Sequence, residues 1–137
     1  MTQEEKELVI KDLCGRLPYK VKCSTPYGIG VLDSIDMEHM DLTFEGPDDN
    51  YYTLDRNIKP YLRPLSSMTE SERKEFDDLS KFDEDVWMGN HKVGFPKNVR
   101  IMSKCVDWLN KKMFDYRGLI PRGLAIEAPE GMYTRKI

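Results

Sequence analysis

Residues 19–44, YKVKCSTPYGIGVLDSIDMEHMDLTF, decide the fold expected of this chain. Tyr19, Val21 and Cys23 alternate with Lys20, Lys22 and Ser24, the period of a strand with one buried face. Thr25-Pro26-Tyr27-Gly28 has the composition of a turn, and Ile29 to Ile35 predicts a second strand. Alternation returns at Met40, Leu42 and Phe44, set against Asp41 and Thr43. Working outward, Gly46-Pro47-Asp48-Asp49-Asn50 signals a loop, Tyr51 to Leu54 a fourth strand, and Ile58 to Leu62 a fifth. Pro60 inside the last run and Pro64 after it restrict that strand to edge pairing. Five short strands joined by tight turns predict a small five-stranded meander or SH3-like barrel.

The flanks are helical. In residues 3–17, Ile10, Leu13, Cys14 and Leu17 recur at helical spacing and predict one apolar stripe. Glu4, Glu5 and Glu7 suit the positive end of the helix dipole; Gly15 weakens the last turn and Pro18 stops it. Thr69-Glu70-Ser71-Glu72 is a capping box. It opens a second helix with Phe76, Leu79 and Phe82 on one side. A break over Gly89–Gly94 precedes a third helix, in which Ile101, Cys105, Trp108 and Leu109 share a face. Gly118, Pro121 and Gly123 permit only a short turn at Asp115–Ile120, and residues 124–128 read as a strand or an extended docking segment. The expected class is α+β: an N-terminal helix and a small barrel or meander over 1–66, then a helical region over 67–137, packed with the first part or beside it.

With 137 residues, the chain is long enough for a self-sufficient core. Its three cysteines have no CxxC spacing, so a disulfide framework is not expected and a reducing cytoplasm is the natural setting. The N-terminal residues do not resemble a signal peptide, and no run approaches the length of a membrane span.

Two segments have unusual wording: Ile58–Glu72, IKPYLRPLSSMTESE, and Asp107–Tyr133, DWLNKKMFDYRGLIPRGLAIEAPEGMY. Together they resemble small uncharacterised proteins of gut Bacteroidales phages and related mobile elements. The resemblance implies a mobile-element setting and carries no activity. A helix followed by five strands also looks like the Sm-type order. Gly30, Leu32, Asp36, Met40 and Asp41 echo the Sm pattern of a Gly-x-Leu, an Asp and a Met-Asn on neighbouring strands. The chain departs from that pattern by one added residue between Asp36 and Met40 and by Asp41 in place of the base-holding Asn.

No enzyme is expected, because no acid, base and nucleophile cluster in the sequence. Phosphate-cradling glycine motifs are missing. No cofactor or metal is expected either: His39 falls in a strand-to-strand turn, His91 in a polar loop, and the acids at 77–85 follow no EF-hand order. Cys105 is expected as a buried, inert thiol. The leading expectation is an accessory or regulatory protein acting through an unidentified protein partner. The alternative is a nucleic-acid-binding module. Two surfaces would serve it: the helix flank of Lys97, Arg100, Lys104 and Lys111, and the strand tyrosines Tyr51, Tyr52 and Tyr61, which could stack bases. Residues 92–136 hold ten bases and four acids, whereas 1–66 hold eight bases and twelve acids. Phosphate binding would therefore fall to the second half. Pairing of that basic flank with the acidic helix at 70–85, or plain solvation, is the simpler expectation.

Overall fold

The computed structural model describes residues 1–46, 51–79, 87–88, 91–92 and 94–133. Helix α1 spans Gln3–Arg16 and is followed by a 3-10 turn over Leu17–Tyr19. Strands β1 (Lys22–Thr25), β2 (Gly28–Asp36), β3 (Asp41–Phe44), β4 (Tyr51–Thr53) and β5 (Lys59–Leu62) come next. A 3-10 turn over Leu65–Ser67 leads to α2 (Glu70–Leu79). The short strands β6 (Trp87–Met88) and β7 (His91–Lys92) pair with each other before α3 (Gly94–Lys111), and β8 (Ile126–Glu127) ends the order.

The period-two segments form one six-stranded sheet ordered β4-β3-β2-β1-β5-β8. Its first four pairings are antiparallel and β5–β8 is parallel. The sheet is mixed and not closed, with β4 and β8 at its ends, and the five strands expected for a barrel or meander all lie in it, within the expected α+β class. The edge position expected for β5 is corrected, because β1 lies on one side of it and β8 on the other. The proline is tolerated there because β8 joins beyond it, at Tyr61 and Leu62.

Alternation places Cys23, Leu32, Leu42, Phe44 and Leu62 in the core, with Val9, Ile10 and Leu13 of α1 packed in the same cluster. Met113, Leu119, Leu124 and Ala125 belong to that cluster too, so both halves of the chain build one core. Gly30 admits the Phe44 ring: a Cβ there would stand 2.9 Å from a ring carbon. Burial pushes the Cys23 thiol up to about 12, which makes it an inert core residue.

Helix α1 starts with a complete capping box between Thr2 and Glu5. Its buried face differs from the expected stripe. Asp12 and Arg16 are buried, whereas Cys14 is exposed. Phe82, expected on α2, lies outside the described residues.

Candidate interaction site

Both unusual segments meet at the end of β5. Successive residues of a strand direct their backbone groups to opposite sides. Leu62 O accepts from Ala128 N at 2.7 Å on one side. On the other, Arg63 N donates to Met113 O at 2.7 Å and Arg63 O accepts from Asp115 N at 2.8 Å. Beyond these bonds the two parallel strands part, because Leu65–Ser67 coils into a 3-10 turn and Pro129–Met132 closes a turn of its own. An open cleft of about 380 Å³ results. Its walls are Arg63, Pro64, Ser67 and Thr69 on one side and the run from Glu127 to Tyr133 on the other. Every lining residue belongs to one of the two segments.

The Arg63 wall is tied by hydrogen bonds and internally neutral. Its guanidinium meets Glu72 with two bonds of 2.7 Å and lies 4.2 Å from the centroid of the Phe114 ring. Glu72 also completes the capping box of α2, accepting from Thr69 N at 3.0 Å while Thr69 Oγ1 accepts from Glu72 N at 3.1 Å. Chiefly through the Arg63 hydrogen bonds, the Glu72 carboxyl is held at about 2. Trp108 stacks on Phe114 at 5.7 Å, contacts Phe76 at 5.4 Å, and donates its indole N–H to Glu75 at 3.0 Å. This stack fastens α2 and α3 behind the wall.

The opposite wall is pinned by Tyr133. Its hydroxyl accepts from Lys22 N at 2.9 Å and donates to Tyr61 O at 2.7 Å, standing between β1 and β5. Burial raises its pKa well above the ordinary phenol value. Glu127 and Glu130 are exposed, and neither makes an ion pair among the described residues. Among the lining residues these two glutamates are the charges without an ion pair among the described residues, and the Lys22 ammonium stands beside the same wall, 3.3 Å from Met132 O.

The residues expected to make contacts do not converge. Tyr52 is half-buried, with its ring 5.8 Å from Phe44 and 6.1 Å from Tyr27, and packs against the core. Tyr61 is half-buried on β5, and its carbonyl holds Tyr133. Tyr51 pairs with Thr43 at the sheet edge, and its side chain lies outside the described residues. Lys97 lies on α3, also with its side chain outside them. Arg100, Lys104 and Lys111 are exposed on α3 and make no ion pair among the described residues. Cys105, expected to be buried, is half-buried. Val99, Met102 and Val106 form an exposed apolar stripe on α3 at 46%, 64% and 36% exposure.

Sequence reasoning missed the buried polar clamp that holds α1 against the C-terminal segment. Arg16 forms a two-bond pair with Asp12, at 2.8 and 3.1 Å, and donates to Phe114 O at 2.6 Å. Arg117 Nε stands 3.2 Å from Asp12. The Tyr116 ring lies 5.2 Å from both guanidinium carbons, and its hydroxyl donates to Asn110 at 2.9 Å. Asp12 and Arg16 have i, i+4 spacing, a signal that also fits a solvated surface pair. No protein-family model, curated protein or solved structure matches the chain.

Proposed function

We propose that this chain is a non-enzymatic accessory protein that acts through protein contacts, with the cleft between residues 63–69 and 127–133 as its docking site. The fitting occupant is an extended segment of a partner protein that presents a basic side chain. One observation carries this reading: both segments singled out by their wording converge on the same cleft, whose lining includes Glu127 and Glu130 with no ion-pair partner among the described residues. Arg63 does not offset them, because Glu72 already neutralises it. Pro64, Pro129 and Met132 provide apolar contact surface in the walls. The strand order β4-β3-β2-β1-β5 supports an SH3-like or Sm-like meander as the scaffold. A phage or mobile-element setting rests on the resemblance of the same two segments.

The test is fluorescence anisotropy with labelled extended heptapeptides carrying a central Lys or Arg, and with their Glu-centred counterparts. Selective binding of the basic peptides, lost in Glu127→Lys/Glu130→Lys, is the expected result. Equal binding by that variant, or no binding of any basic peptide, would overturn the assignment.

A second reading has its own support. Arg100, Lys104 and Lys111, which make no ion pair among the described residues, suit a phosphate backbone. It expects single-stranded DNA, duplex DNA or RNA to bind at low salt, with affinity falling steeply as salt rises. Arg100→Glu/Lys104→Glu should abolish that binding and leave the peptide binding intact.

A further inference from the structure

A second cluster lies away from the cleft, at the hairpin joining β2 to β3. Asp36 and Asp41 are direct partners across that ladder. Like charges directly opposite each other in a sheet repel, so this pair calls for a positive partner. His39, from the turn between them, places its Nδ1 3.0 Å from Asp36 Oδ2. Ligand atoms of Asp36, His39 and Asp41 all lie within 4.8 Å of one another.

We propose that Asp36, His39 and Asp41 form a binding site for a borderline divalent cation such as Zn²⁺. The donor set, one imidazole nitrogen and two carboxylates, is one that zinc accepts, with bonds of about 2.0–2.2 Å. Ligand atoms around a tetrahedral ion with such bonds stand about 3.3 Å apart, so a small opening of the Asp36–His39 hydrogen bond, with loss of its proton, admits the cation within the 4.8 Å that spans the three groups. Each carboxylate also has a neighbour that orients it, as ligating carboxylates commonly do. Asp36 Oδ1 accepts from Glu38 N at 3.0 Å, which leaves Oδ2 turned towards His39. Asp41 Oδ1 accepts from Thr53 Oγ1 at 2.9 Å, a contact supplied by β4. An ordinary surface Asp–His pair would account for two of these residues. The third is brought in by sheet register, from a neighbouring strand, and its charge is the one the imidazole alone does not neutralise. The exposure of Asp36 and His39 leaves the remaining coordination positions to water, so the site would bind reversibly.

The test is a ZnCl₂ titration of the whole chain with its thiols kept reduced, followed by NMR of the His39 ring and the Asp41 amide. Saturable shifts at both residues are expected, with affinity weakened about tenfold or more in His39→Gln and in Asp41→Asn. His91→Gln should bind as the parent does. Absence of His39 shifts up to millimolar Zn²⁺, or unchanged affinity in both hairpin variants, would overturn the proposal. Both substitutions lie at a solvent-facing hairpin, and the circular dichroism of each variant checks that it remains folded.

Discussion

Arg16 is the residue on which most of the interior polar structure turns. Fully buried, it binds Asp12 and the Phe114 carbonyl, so it joins α1 to the segment that follows α3. A buried ion pair contributes little net stability relative to apolar residues of similar size, yet removing one partner leaves an uncompensated charge. Asp12→Ala should therefore cost about 3–5 kcal/mol in urea unfolding. The double change Asp12→Leu/Arg16→Met should recover most of that loss, and failure to do so would show that the pair does more than neutralise itself. Gly30 is constrained in a different way. Gly30→Ala drives a methyl group against the Phe44 ring, and thermal unfolding should report a loss of about 1–3 kcal/mol.

At the scale of elements, Glu72 and Tyr133 do the joining. Glu72 caps α2 and pairs with Arg63 at the end of β5. Its carboxyl titrates near 2 in the folded chain, against an ordinary 4.5. The stabilisation it supplies is therefore complete above about pH 4.5 and disappears as the pH falls towards 2, a change on the order of 2 kcal/mol. Glu72→Gln should remove that part of the acid dependence, as measured by urea midpoints across the range. Tyr133 acts through a single hydroxyl between two strands. Tyr133→Phe should cost about 1–2 kcal/mol, because it leaves the Lys22 amide and Tyr61 carbonyl without that partner. Faster hydrogen exchange at the Lys22 amide is the direct readout.

For the whole molecule, the sheet and core depend on both ends of the chain. Met113, Leu119, Leu124 and Ala125 complete a cluster that begins with Val9 and Leu13, and β8 covers the side of β5 that faces away from β1. A chain ending at residue 66 should therefore lack a cooperative thermal transition, whereas the full chain should show one. Two separate transitions in the full chain would contradict the shared core.

The period-two runs from Lys22 to Leu62 determined the five meander strands, and the Thr69–Glu72 box determined where α2 begins. Both are local effects: alternation selects a half-buried strand, and a cap needs only four residues. Residues 124–128 were equally legible as a short extended segment, realised as β8. Tertiary structure decided what these elements do together. Pairing of β5 with β8 rests on contacts across more than 60 residues, which no local pattern encodes. Asp12 and Arg16 look like a surface pair in the sequence and become interior only because the segment after α3 closes over them. The cleft exists because two parallel strands separate after Leu62 and Ala128, and the Asp36–His39–Asp41 cluster because β2–β3 register sets two carboxylates face to face. Spacing along the chain specifies local conformation, whereas which side chains meet is decided when the elements pack.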